Sequence, residues 1–212
     1  MQYTDRADAG RQLAAGLGFL RGSGAVVLGL PRGGVPVAFE VAAELGAPLD
    51  VIVVRKLGLP TQPELAMGAI GEGGVRILNE AVVQRARVTA ADLAAAEERE
   101  RPELGRQARQ FRAGRSRVDI TGRTALLVDD GIATGSTARA ACLVARAQGA
   151  ARVIMAAPVG SPSAADALRG SCDEVFCLLV PASFSSVGEW YRDFAPVPDA
   201  AVAALLRPGP SG

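Results

Sequence analysis

The chain contains no histidine, and that absence removes a large share of the chemistry open to an enzyme. Ser-His-Asp and Cys-His catalysis are excluded, as are histidine-ligated metal sites. Cysteine is scarce. Cys142, Cys172 and Cys177 are odd in number and lack close metal spacing, so inert thiols in a reduced, cytoplasmic setting are expected. Apolar runs such as Ala25–Leu30 and Val51–Val54 are far too short to span a bilayer, and no secretory signal pattern is present. Neither sign of charge is in excess: the formal net charge is +1, which makes no case for nucleic acid or an acidic membrane as partner. Aromatic residues make up only 4%. Any chemistry must rest on carboxylates, hydroxyls, backbone amides, Arg, Lys and a metal carried by the ligand.

What is present is enough for a core. Hydrophobic residues account for 49% of 212 positions, which fits one domain of ordinary size. Strand-like apolar runs at Ala25–Leu30, Leu49–Val54, Thr124–Val128, Arg152–Ala156 and Glu174–Leu179 alternate with helical patterns at Asp5–Leu20, Pro36–Leu45, Arg139–Gln148 and Ser161–Leu168. Such alternation predicts an α/β fold, a single mainly parallel sheet with helices on both faces. Ligands bind such sheets at the carboxyl ends of the strands, so the loops after Leu30, Val54, Val128, Ala156 and Leu179 are expected to face one site.

The loop after Val128 is the most informative. Leu126–Thr137 reads as a buried strand, then Asp129 and Asp130, then the small-residue turn Gly131-Ile132-Ala133-Thr134-Gly135-Ser136-Thr137 opening a helix. Free amides, two threonine hydroxyls, a serine hydroxyl and a helix N-terminus suit a phosphate monoester. The adjacent carboxylates would repel that phosphate, but they are good acceptors for sugar hydroxyls. Phosphate plus diol points to a ribose 5-phosphate grip. A Walker loop requires a Lys before the Ser/Thr, and there is none. A dinucleotide fingerprint places its acid after the glycines, whereas here the acids come first. A mere capped turn would need one short polar residue, not this whole string.

With those residues in view, Leu127–Thr137 resembles the ribose-phosphate motif of the type I phosphoribosyltransferases, in which hydrophobic residues precede two acids and a Thr-Gly-x-Thr loop. The resemblance covers most of Ala25–Phe194. It implies the fold of that family with a small hood, and phosphoribosyl pyrophosphate as donor. By the same resemblance Asp129 and Asp130 hold the ribose hydroxyls, and Ala133, Thr134, Gly135, Ser136 and Thr137 wrap the 5-phosphate. Leu30-Pro31-Arg32-Gly33-Gly34 looks like the family's pyrophosphate loop: the glycines permit close approach and unusual backbone conformations, and Arg32 supplies a forked donor. A non-proline cis peptide around Arg32 is expected there. Arg55-Lys56-Leu57-Gly58-Leu59-Pro60 is similar to the start of the mobile catalytic loop of adenine-type enzymes. Arg55 and Lys56 are then expected to face pyrophosphate, with Leu57–Ala66 as a lid that keeps water from the sugar cation.

The implied reaction transfers ribose 5-phosphate to a nitrogenous base with release of pyrophosphate, and magnesium travels on the pyrophosphate, held by ligand oxygens and water. Phe184, Trp190, Tyr191 and Phe194 lie close together in the sequence, either as a small hydrophobic cluster or as a cap over a nucleobase contacted by Val187 and Trp190. Two departures from the 6-oxopurine enzymes stand out. Ala133 replaces the acid before Thr-Gly, and Ala157-Pro158-Val159-Gly160 lacks the base-reading Lys. Glu64 or Glu189 is the expected substitute for proton exchange with the base. These departures also motivate a second reading, a regulatory protein that binds phosphoribosyl pyrophosphate or a nucleotide without turnover.

Residues 1–206 are expected as one phosphoribosyltransferase-like domain, with 181–199 as the hood segment. Arg85–Arg117, rich in Ala, Glu and Arg, reads as an inserted helical element. Pro102 ends one helix or starts another there, and interleaved Glu and Arg form a solvated, salt-bridged face. The tail 207–212 is expected to be disordered, and the assembly is expected to be a homodimer.

Overall fold

The computed structural model describes residues 2–63 and 65–207. In chain order the strands are β1 (Val26–Gly29), β2 (Leu49–Val51), β3 (Val54–Gly58), β4 (Ala66–Gly71), β5 (Arg76–Leu78), β6 (Thr124–Val128), β7 (Arg152–Val159) and β8 (Glu174–Leu179). The α-helices are α1 (Arg6–Gly16), α2 (Gly34–Leu45), α3 (Glu80–Arg85), α4 (Ala90–Arg112), α5 (Ser136–Ala147), α6 (Ala164–Ala167) and α7 (Asp199–Leu205). Among the described residues, β2, β1, β6, β7 and β8 lie side by side in that order as one parallel sheet. The expected fold class is therefore observed.

Two-residue periodicity sorts the central strands onto opposite faces. Val26, Leu28, Ala125, Leu127, Val153 and Met155 pack with Ala138, Ala141, Cys142 and Ala145 of α5. Val27, Leu126, Val128, Ile154 and Ala156 pack on the other face against Leu13 and Ala14 of α1, Leu17 just after it, and Val37, Val41 and Leu45 of α2. Each run is apolar throughout because both of its faces are covered.

Two expectations need correction. The run Leu49–Val54 is not one strand: β2 ends at Val51, and β3 begins at Val54 in a separate antiparallel sheet of order β3-β4-β5. Ile52 joins the core beneath α5, whereas Val51 and Val53 turn to a third cluster with Met67, Ile70, Leu104 and Phe111. The apolar run is continuous because it feeds two cores. The described residues of the expected lid, 57–63, 65 and 66, run from the end of β3 into the start of β4, where Leu59 N–H donates to the Leu65 carbonyl (3.0 Å). Glu64 lies outside the described residues, as do 208–212 of the expected disordered tail.

Pro102, expected at a helix boundary, sits inside α4. Proline costs an interior helix one hydrogen bond. Here the buried stripe Ala96, Leu104, Ala108 and Phe111 anchors the helix on both sides of it. The Glu/Arg pattern on α4 is salt-bridged as expected: Glu97 pairs with Arg76 (2.9 Å) and Arg101 (2.8 Å), and Glu103 with Arg106 (2.7 Å). Arg112 differs, being buried. Its Nε donates to Asp50 (2.8 Å), and its guanidinium also binds Glu72 and the Val51 carbonyl, so α4 is tied to β2 from within. The three cysteines are free, Cys142 buried and the other two half-buried. Among the described residues no helix is long and apolar enough to cross a membrane.

Candidate functional site

In the parallel sheet the chain steps from β1 to β2 in one direction and resumes at β6 on the other side of β1. A crevice opens where two such neighbouring strands send their connections to opposite sides. The loops leaving β1 and β6 are Leu30–Gly34 and Asp129–Thr137, the two strongest sequence candidates. They touch. A Cβ on Gly33 would stand 2.0 Å from Asp130 Oδ2, and one on Gly34 would stand 2.5 Å from the Val128 carbonyl oxygen. Gly33 itself has φ −63°, an ordinary helical value. The glycines therefore serve close approach between the two loops, not the unusual conformations expected of them. The Pro31–Arg32 peptide is cis, as anticipated.

The turn after the aspartates is stitched to the end of β7. Ile132 N–H donates to the Val159 carbonyl (2.9 Å), Ser161 N–H to the Ile132 carbonyl (2.8 Å), and Ser161 Oγ to the Ala133 carbonyl (2.7 Å). Gly135 then adopts φ +72°, the left-handed region where glycine is unstrained, and α5 begins at the next residue. Gly135 offers α5 no side-chain cap, and the Ser136 amide makes only a long contact to Thr134 Oγ1 (3.5 Å), which leaves the positive end of the dipole weakly matched. A cavity of about 170 Å³ sits at that end, lined by Asp129, Gly131–Ala138 and Val187. Thr134 Oγ1 and Ser136 Oγ are 3.2 Å apart there.

Beside this cup lies a groove of about 770 Å³. Its lining includes Arg32, Arg55, Lys56 and Thr137, and α4 contributes Arg99 and Glu100. Thr137 lines both spaces, so cup and groove adjoin there. Two of the cations are matched by carboxylates: Arg55 is held by Glu100 (2.9 and 2.7 Å), and Arg32 Nε lies 2.9 Å from Asp199 of α7. Lys56 faces both the groove and a smaller apolar pocket beside Thr134–Ser136.

The aspartate pair is costly to ionise. Burial pushes both carboxyls above the usual carboxylate range, and the charge of Asp130 raises Asp129 further. Arg6, a residue the sequence reading passed over, opposes this by donating from Nε to Asp130 Oδ2 (2.8 Å). Its guanidinium lies 4.0 Å from the Phe194 ring centroid and donates to the Ala195 carbonyl (2.9 Å). Tyr191 Oη donates to the Asp130 carbonyl (2.6 Å), and burial lifts that phenol far above its ordinary range. The overlooked signal was an arginine in the first turn of a helix, where the dipole disfavours positive charge.

The aromatic segment divides. Val187 stands over Gly131, where an added Cβ would come 2.5 Å from Val187 Cγ1, and it lines the cup. Val187 also packs in one cluster with Trp190, which does not line the cup. The Trp190 side chain packs with Tyr3, Tyr191 and Phe194 in a cluster closed by Tyr3 N–H donating to the Trp190 carbonyl (2.8 Å) and Arg192 N–H to the Tyr3 carbonyl (2.9 Å). Of the two readings left open for these aromatics, the hydrophobic cluster describes Trp190. Glu189, considered for proton exchange, accepts from Ser185 N–H, Ser186 N–H and Trp190 Nε1, and those bonds hold its carboxyl below the usual range. It braces the turn.

The comparisons with known proteins agree with this geometry. The sequence profile of the phosphoribosyl transferase domain matches residues 2–192. Two Mycobacterium tuberculosis proteins, from strains CDC 1551 and H37Rv and provisionally named phosphoribosyl transferases, are each 57% identical over 204 residues, 96% of this chain. The chain spans 46% of the length of those curated relatives. The crystal structure of TT1426 from Thermus thermophilus superposes with a TM-score of 0.89 at 44% identity, covering 97% of this chain and 98% of that one. Cup, cationic groove and paired acids thus stand at the crevice of a sheet whose sequence carries the matching profile throughout, and the chain belongs to the phosphoribosyl transferase domain family.

Proposed function

We propose that this chain transfers ribose 5-phosphate from phosphoribosyl pyrophosphate to a nitrogenous base, releasing pyrophosphate. The observation that carries the reading is that Asp129 and the α5 N-terminus line one cup, with Asp130 next in the turn, and that this cup shares Thr137 with the Arg32–Lys56 groove. In this reading the amides and hydroxyls of Ala133–Thr137 bind the 5-phosphate, and the carboxylates of Asp129 and Asp130 accept from the ribose hydroxyls. Arg32, Arg55 and Lys56 take up the charge of departing pyrophosphate, while the fixed carboxylates favour the positive charge growing on the sugar. Residues 181–199 serve as the hood, with Val187 against the acceptor. Magnesium fits as a passenger of the pyrophosphate, since the carboxylate and hydroxyl oxygens here are the hard donors it accepts. When bound it would neutralise the leaving group.

Incubation with phosphoribosyl pyrophosphate, magnesium and a panel of bases, with pyrophosphate release as the readout, tests this directly. Release with any base supports transfer, and an Asp129→Asn/Asp130→Asn double variant should lose it while keeping its fold. Full activity in that variant would defeat the assignment. The engagement of Glu189 by three donors and of the Pro158 carbonyl by Tyr3 Oη (2.9 Å) favours one second reading, a regulator that binds the donor without turnover. Tight binding of phosphoribosyl pyrophosphate with no release across the panel would select it.

A further inference from the structure

We propose that Arg6 is a positioning residue that sets which oxygen of Asp130 meets the sugar, and so makes this site select ribose over a deoxy sugar. The inference rests on the ribose-phosphate reading of the crevice. The Arg6–Asp130 pair is nearly enclosed, with side-chain exposures of 11% and 14%. Its geometry is fixed from several sides. Phe194 lies 4.0 Å from the guanidinium carbon, the Ala195 carbonyl takes a second N–H, and Tyr191 Oη pins the Asp130 backbone. Gly33 leaves the space into which Oδ2 projects.

Asp130 Oδ2 is committed to Arg6, and Asp129 Oδ1 is committed to the Asp130 amide (2.9 Å). Among the described residues Asp130 Oδ1 and Asp129 Oδ2 carry no hydrogen bond, and Asp129 lines the cup. Two acceptors suit two hydroxyls, and a sugar lacking one hydroxyl leaves a half-buried carboxylate oxygen unpaired. The charged or titratable groups facing Asp130 are Arg6 from α1, Asp129 on the same turn and Tyr191 from the hood. Of these, Arg6 alone favours the ionised carboxylate that accepts from a hydroxyl.

The test is calorimetric titration of wild type, Arg6→Gln and Arg6→Lys with ribose 5-phosphate, 2-deoxyribose 5-phosphate and inorganic pyrophosphate, over roughly pH 5 to 9. Arg6→Gln should weaken ribose 5-phosphate binding by about tenfold at neutral pH, shift the pH midpoint of that binding upward and bring the ribose-to-deoxyribose ratio towards one. Pyrophosphate binding should be unchanged. Arg6→Lys, which keeps the charge but not the planar fork, should restore the midpoint better than the ratio. An unchanged midpoint and ratio in Arg6→Gln would overturn the proposal, as would a parallel loss of pyrophosphate affinity, the mark of general disruption. Should Arg6→Gln not fold, Phe194→Leu removes the ring beneath the guanidinium and should move both readouts the same way; no movement there counts against the proposal. Failure of the wild type to bind ribose 5-phosphate would overturn the underlying reading as well, which separates the two.

Discussion

Asp129 illustrates a site residue that works against the fold holding it. Burial and the neighbouring charge of Asp130 raise its pKa in the folded protein. A carboxyl whose folded pKa exceeds its unfolded value binds more protons when folded, so its contribution to stability falls as pH rises from about 4 through the folded value. Burying this pair therefore costs stability at neutral pH, and Asp129→Asn should raise the melting temperature by about 2–4 °C, the equivalent of about 1 kcal/mol in a domain of this size. The same variant should lose ribose 5-phosphate affinity. A lower melting temperature would show that the charge is compensated. Thermal scans near pH 4 and pH 7 check the sign, because the gain should shrink at the lower pH. A second expectation concerns Gly33. Its Cβ position coincides with Asp130 Oδ2, so Gly33→Ala must displace the carboxylate. Ribose 5-phosphate affinity should fall by about tenfold or more, read by calorimetry, and unchanged affinity would mean that Asp130 does not touch the sugar. At this scale much was legible in the chain. Two acids, glycine and hydroxyls in one turn carry their chemistry on their faces. Arg6 was not, because its partner lies 124 positions away and only its misfit with the helix dipole marked it.

Two elements outside the parallel sheet shape the groove. Helix α4 crosses it and places Glu100 on Arg55, while α7 places Asp199 beside Arg32. These carboxylates occupy positions that pyrophosphate oxygens would take if Arg32 and Arg55 bind them. Glu100→Gln should then tighten pyrophosphate binding by about 2- to 5-fold, the equivalent of an ion pair worth up to about 1 kcal/mol. Weaker binding in a calorimetric titration would mean that Glu100 orients Arg55 instead of competing for it. The inner end of α4 makes a different prediction. Asp50 is fully buried, and among the described residues its one cation is Arg112. Arg112→Met should therefore destabilise the fold by about 3–5 kcal/mol by stranding a buried charge. A loss below about 1 kcal/mol in urea unfolding would contradict that role. The periodicity of α4 was legible, but its partners were not. Alternating Glu and Arg look alike whether they meet solvent, each other or a site, and Pro102 signals a boundary that tertiary contacts override. The β3-β4-β5 sheet was missed for a similar reason: Ala66–Gly71 is small and glycine-bearing, a weak strand signal by composition, and its register comes from pairing with β3.

Across the whole molecule, function follows from where strand order reverses. The β1 and β6 loops meet because their strands are neighbours although 94 residues separate Gly29 from Thr124 in a count excluding both, and that count cannot be read as proximity from sequence alone. Binary alternation of apolar runs was enough to predict a parallel sheet covered on both faces, and the carboxyl-end rule was enough to predict that these loops face one crevice. The acceptor end stayed obscure for a physical reason. The segment Val187–Phe194 is placed by packing on the N-terminal residues around Tyr3, and no local pattern encodes that pairing. The most direct measurement is a crystal structure of the protein with ribose 5-phosphate and magnesium pyrophosphate. The phosphate is expected on the amides of Ala133–Thr137, the sugar diol against Asp129 and Asp130, and pyrophosphate between Arg32 and Lys56. Ligands bound elsewhere, or a crevice that stays empty at saturating concentrations, would contradict it.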